Sequence, residues 1–126
     1  MGLIYTTVTL GNPRDRTLVP LNVQALADTG PVHLCIPEHV ALQLKLESLH
    51  EREVTTADGK KLLCPYAGPV EVSCGNRTCY VGALVLGDEV LLGAVPMEDL
   101  DLVLCPRTRT ITVNPDSPNI PTAKVK

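Results

Sequence analysis

"QALADTGPVHLCIP", Gln24 to Pro37, is the stretch on which the fold turns. An apolar run ends in Asp28-Thr29-Gly30, and a second apolar run, Val32 to Ile36, begins just beyond Pro31. Strands commonly end in turns built from Asp and Gly, since Asp bonds its own backbone and Gly adopts angles other residues avoid. Here both flanks are apolar, which draws the Asp28 carboxylate toward the core rather than onto a free loop. Shielding from water raises a carboxylate's pKa and suits it to acid–base work. Asp28 therefore has two readings, a solvated turn acid or a catalytic carboxylate.

The composition narrows the choice. At 126 residues the chain has the length of one domain with one core. Its 44% hydrophobic and 20% charged residues fit a globular protein. Phe and Trp are absent and Tyr numbers 3, so the core falls to Leu, Val and Ile; with 11 Pro and 9 Gly, this favours short strands and turns. A net charge of -3 and few aromatics provide neither the field nor the stacking surfaces for a nucleic-acid partner. No apolar run approaches the roughly 18 residues of a membrane span. The opening "MGLIYTTVTL" lacks a basic segment and alternates with Thr, so it reads as a strand start rather than a signal peptide or a myristoylated Met1-Gly2. The odd set Cys35, Cys64, Cys74, Cys79 and Cys105 then reads as reduced, buried thiols in a cytoplasmic protein.

Along the chain, Leu3–Leu10 and Leu18–Ala27 read as strands separated by the turn "GNPRDR". After "VHLCI", Pro37 opens a helix that puts Val40, Ala41 and Leu44 on one face. From Glu51 the pattern turns to hairpins, the first around Asp58-Gly59 and the second around Gly75-Asn76 with Val70, Val72 and Cys74 alternating. Glu89–Pro96, "LVLC" and "RTITV" add short strands, with a helical piece in "PMEDLD". The sum is an all-β closed barrel of eight or nine short strands with one or two short helices, spanning residues 1–113. The Pro-rich, polar tail 114–126 reads as loose.

Two side features have plain readings. Cys74 and Cys79 flank a turn, and with His33, His39 or His50 they bear on a zinc site or a cross-hairpin disulfide, but the spacing is looser than the usual metal pairs. Buried thiols, no metal and no cofactor are the expectation. Glu98, Asp99 and Asp101 read as solvent-facing acids at a helix N-terminus.

The order of these features resembles the retropepsin-like aspartic proteases, in particular small bacterial single-domain members. The likeness runs from "VQALADTG" through "PEHVALQL" and "TADG" to "VLLGAVPMEDLDLVLCPRTRTITV", about Leu3 to Val113. The resemblance implies a strand delivering Asp28-Thr29-Gly30, a flap at Ala57-Asp58-Gly59, and a brace for the site loop at Leu91-Leu92-Gly93. It also implies peptide hydrolysis between two carboxylates sharing a proton. This chain carries one Asp-Thr-Gly, so the resemblance implies a symmetric homodimer with Asp28 facing Asp28 and an extended peptide as substrate. Pro31 stands where the family usually has Ala or Ser. It lacks a backbone donor, and it motivates the alternative of a catalytically silent module that dimerises or binds peptides.

Overall fold

The structure is a computed structural model and describes residues 3–125; the Met1-Gly2 reading and the final residue of the tail lie outside it. Nine strands and two short helices follow in the order β1 (Tyr5–Gly11), β2 (Leu21–Ala27), β3 (Leu34–Ile36), α1 (Glu38–Gln43), β4 (Glu47–Thr55), β5 (Lys61–Cys74), β6 (Arg77–Val85), β7 (Val90–Leu92), α2 (Ala94–Asp99), β8 (Leu102–Cys105) and β9 (Thr110–Val113). Strand order β1-β2-β7-β3-β6-β5 closes on itself because β1 also pairs with β5. Closure removes the free edges that an open sheet would leave to aggregate. The expected closed all-β barrel is what the chain forms. β4 adds to the outer edge of β5, and β8–β9 make a separate hairpin. No helix among the described residues is long and apolar enough to cross a membrane.

Period-two alternation drives the barrel. Val8 and Leu10 on β1 and Val70 and Val72 on β5 are buried, while Glu71 and Ser73, the alternate residues of β5, stay partly exposed. They join Leu34, Ile36 and Leu92 in one core, with Val40 and Leu44 of the first helical segment packed beneath. Fully burying each such side chain stabilises the fold by roughly 1.5–3 kcal/mol, and with no Phe or Trp the core depends on many of them.

Several boundaries move for local reasons. Pro20 interrupts the run at Leu18, so β2 starts at Leu21. Pro37 is the extended N-cap of α1 rather than its first residue. The two hairpins share one 14-residue strand, β5, bulged between Ala67 and Val70. Cys79 pairs with Val72 and Cys74 with Arg77, so the two thiols are not opposed for a disulfide. Burial pushes the Cys79 thiol up to about 12, with Asp99 adding to it.

The larger corrections concern the tail and the acids before it. α2 starts at Ala94, so Glu98 and Asp99 close its C-terminal end instead of opening it. Asp101, in the left-handed region at φ 54, collects the tail. Its Oδ1 accepts from Asn114 Nδ2 at 3.1 Å, and its Oδ2 accepts from the Ser117 hydroxyl at 2.5 Å and the Thr122 backbone N–H at 2.9 Å. Arg77 is wholly buried, with Nη2 donating to the Ser117 carbonyl and standing 4.0 Å from Asp101 Oδ2. Asn76 Nδ2 donates to the Pro118 carbonyl at 3.0 Å. Residues 114–122 are therefore tied down, because a buried cation and an acid with free lone pairs need the polar groups the tail supplies.

The Ser117 hydroxyl, then the Thr122 N–H and Asn114, hold the Asp101 carboxyl below the usual range. A depressed folded value contributes stability above the unfolded value of about 3.9, lost as pH falls through the folded one. Tail protection against hydrogen exchange should thus be unchanged at pH 5 and vanish only in stronger acid. Asp101→Ala should speed exchange at 114–122 by roughly tenfold or more at neutral pH while the barrel amides stay protected.

Candidate active site

β7 lies between β2 and β3, parallel to the first and antiparallel to the second. Ala25, Leu26 and Ala27 pair with Val90, Leu91 and Leu92, while Leu34 and Cys35 pair back with Leu92 and Leu91. The connection carrying Asp28-Thr29-Gly30 must therefore pass around the end of β7. The Asp28 backbone N–H donates to the Leu92 carbonyl at 3.1 Å, and the Ala27 N–H to the Ile4 carbonyl at 2.8 Å. Side-chain Oδ1 of Asp28 then accepts from the Gly30 N–H at 2.9 Å, turning the carboxylate back over its own loop. A Cβ on Gly30 would stand 3.1 Å from that oxygen.

The brace is a matter of backbone proximity. Gly93 is buried, and a Cβ there would meet the Pro31 carbonyl oxygen at 2.7 Å and collide with that of His33. Just after it, Ala94 N–H donates to the Pro31 carbonyl at 2.9 Å and Val95 N–H to the Val32 carbonyl at 2.8 Å. Pro31 thus contributes its carbonyl to seating the loop, a role its missing N–H leaves intact. Leu91 and Leu92 pack and pair, and Gly93 admits the loop; the expected brace and the Asp28 loop are brought together.

Flanking apolar sequence does not bury the carboxylate. Asp28, Thr29 and Gly30 are exposed in the single chain, because β2 ends at the barrel rim. A hollow of about 250 Å³ beside them is lined by Leu3, Ile4, Leu26, Ala27, Asp28, Thr29 and Leu104. Around Thr29 and Leu104 it gives way to a second of about 260 Å³ toward Ala94, Met97 and Leu102. The Asp28 loop therefore stands on a largely apolar rim.

Ala57-Asp58-Gly59 form the exposed tip of the β4–β5 hairpin and do not line that hollow. The tip is ordered by its own bonds. Gly59 N–H donates to the Thr56 carbonyl at 2.9 Å, and Gly59 takes φ +86 with open space around it. Asp58 Oδ1 accepts from the Thr56 hydroxyl and the Lys60 N–H, which hold its carboxyl below the usual range. Sequence reasoning missed a cluster at the hairpin's base, where Arg52 meets His33, His50 and Tyr66. His50 and Arg52 share a strand face by period-two spacing, but His33 reaches them only through the fold.

The sequence matches no protein-family model and no curated protein. Solved structures do match. The chain is similar to the retroviral protease-like domain of Ddi1 from Leishmania major, at 11% identity and TM-score 0.61 over 91% of this chain and 90% of that one. It is similar to EIAV protease complexed with the inhibitor HBY-793, at 19% identity and TM-score 0.59 over 82% and 93%. A retropepsin-like aspartic protease from Rickettsia conorii aligns at 20% identity and TM-score 0.52 over 77% and 71%. The fold is retropepsin-like.

Two glycine substitutions separate crowding from backbone strain. Gly93→Ala should lower unfolding stability in urea by at least about 2 kcal/mol, since a buried methyl must displace two backbone carbonyls. Gly59→Ala, open but left-handed, should cost only about 1 kcal/mol and leave the barrel unaffected.

Proposed function

We propose that the chain is one half of a homodimeric aspartic endopeptidase, with Asp28 of each copy forming the catalytic pair. The observation that carries this reading is a fixed but solvent-exposed carboxylate on a doubly braced loop, set beside an apolar rim. A two-fold axis through the rim brings Asp28 to face its copy, and Leu3, Leu26 and Leu104 give the partner apolar area to cover. Two carboxylates at hydrogen-bond distance cannot both ionise, so the pair holds one proton.

The chemistry follows from that shared proton. The ionised carboxylate takes a proton from a water molecule as its oxygen attacks the scissile carbonyl carbon. The protonated carboxyl gives its proton to the carbonyl oxygen, so a neutral tetrahedral diol forms and the pair again holds one proton. Collapse of the diol breaks the C–N bond as the protonated carboxyl gives its proton to the leaving nitrogen. The other carboxylate takes one from a diol hydroxyl, so the pair again holds one proton. Thr29 and Gly30 position the carboxylate, Leu91, Leu92 and Gly93 hold the loop, and Ala57, Asp58 and Gly59 cover an extended peptide through backbone pairing. No cofactor or metal enters these steps. The silent-module alternative draws on Pro31 and on the plain flap; the Pro31 carbonyl accepts from the Ala94 N–H, so the missing donor does not unseat the loop.

Asp28→Asn should preserve fold and dimer and lower peptide cleavage by at least about a thousandfold. A statine-type mimic of the diol should inhibit the wild type. Cleavage by the variant at the wild-type rate would remove Asp28 from the chemistry.

A further inference from the structure

At the base of the hairpin, His33 from the Asp28–β3 connection meets Arg52 of β4 and Tyr66 of β5, and His50 of β4 meets the same two residues. Arg52 Nη1 lies 3.0 Å from His33 Nε2, and Nη2 lies 3.3 Å from His50 Nε2. The guanidinium carbon stands 4.2 Å from the centre of the Tyr66 ring, a cation–π distance. Both imidazoles also pack on that ring, with centroids 5.8 Å and 5.0 Å away. Tyr66 in turn lies against Gly82, where a Cβ would overlap the ring, so the platform is seated on the barrel.

The bond polarity is fixed by the chemistry of arginine. A guanidinium only donates, so at the His33 contact Nε2 must accept and that imidazole must be neutral, with its hydrogen on Nδ1. Protonating His33 sets an N–H⁺ against a guanidinium N–H⁺ at the same place. No carboxylate among the described residues lies within ion-pair distance of Arg52 to offset that repulsion. The other titratable groups are the Cys35 thiol on β3 and the Cys64 thiol opposite Arg52 on β5, and burial raises the pKa of both, keeping them uncharged. Glu51, the next residue along β4, adds to the rise at Cys64 and makes no bond to Arg52. The His50 contact lies within β4 and orients Arg52; only the His33 contact crosses from hairpin to site loop.

We propose that His33 and Arg52 form a proton-released latch, fastening the β4–β5 hairpin to the connection that carries Asp28 while His33 is neutral and freeing it when His33 is protonated. Both are positioning residues. Burial first, and Arg52 second, lower the pKa of His33, in keeping with a latched state that resists the proton. The sign follows: the latch is whole above the ordinary histidine value of about 6.5 and weakens as pH falls below it. Under the function proposed above, mild acid would loosen the hairpin that covers the peptide, but the latch itself does not depend on that reading.

Backbone hydrogen exchange, corrected for its intrinsic pH dependence, tests this on the intact protein. Between pH 7.5 and 5.5 the wild-type hairpin, Glu47 to Cys64, should lose roughly tenfold in protection while the 114–122 tail loses none. His33→Gln should keep the hairpin protected at both pH values, because a glutamine oxygen accepts from Arg52 without titrating. Arg52→Gln should leave it poorly protected at both. Equal wild-type protection at the two pH values, or a His33→Gln hairpin as pH-sensitive as wild type, would overturn the latch. If His33→Gln does not fold, an NMR titration of His33 decides: Arg52→Gln should raise its pKa, and an unmoved value overturns the proposal.

Discussion

The constraint on which the rest depends is the threading of Val90–Leu92 between two strands that flank the Asp28 loop. Because β7 pairs with β2 on one side and β3 on the other, the chain between those strands has to loop over its end. That path brings the Asp28 amide to the Leu92 carbonyl and presses Pro31 and His33 onto Gly93. A side chain at position 93 would force the loop away, so glycine there is a condition of the site's geometry. Three residues of strand thus close the barrel and fix the position of one carboxylate.

Rigidity without enclosure is the second consequence. The loop is held by backbone bonds on both sides, yet Asp28, Thr29 and Gly30 face solvent in one chain. A lone exposed carboxylate is a poor proton broker, since water screens it and no second acid or base stands beside it. Pairing across a two-fold axis changes both conditions at once, by excluding water and by setting like charges together. On this account the chemistry belongs to the assembly, while each chain contributes a prepared half. The hairpin is prepared in a different way, with a tip ordered by Asp58 and a base joined to the site loop through His33 and Arg52.

Much of this was legible in the residues. The barrel followed from alternation at Val70 and Val72 and the hairpin from Asp58-Gly59, whereas the brace at Leu91-Leu92-Gly93 came only from the family resemblance. What the sequence hid depended on distance along the chain. The tail looked loose because it is polar and Pro-rich, and only the fold shows that Asp101 and the buried Arg77 give those polar groups partners. Glu98 and Asp99 looked like helix-opening acids because Pro96 resembled a helix start, whereas the turn begins at Ala94, whose N–H the Pro31 carbonyl captures. Flanking hydrophobicity suggested a shielded Asp28, and the strand's end at the rim shows why local composition does not report burial. His33 and Arg52 lie 19 residues apart with no pattern joining them.

A subunit-mixing experiment tests the central claim, that two copies of Asp28 share one active site, most directly. Wild-type and Asp28→Asn chains would be denatured together, refolded at equal total concentration, and assayed for peptide cleavage. If a working site needs both carboxylates, activity falls as the square of the wild-type fraction, to about one quarter in an equal mixture. Activity falling only in proportion, to about one half, would mean that each chain acts with its own Asp28 and would contradict the shared site.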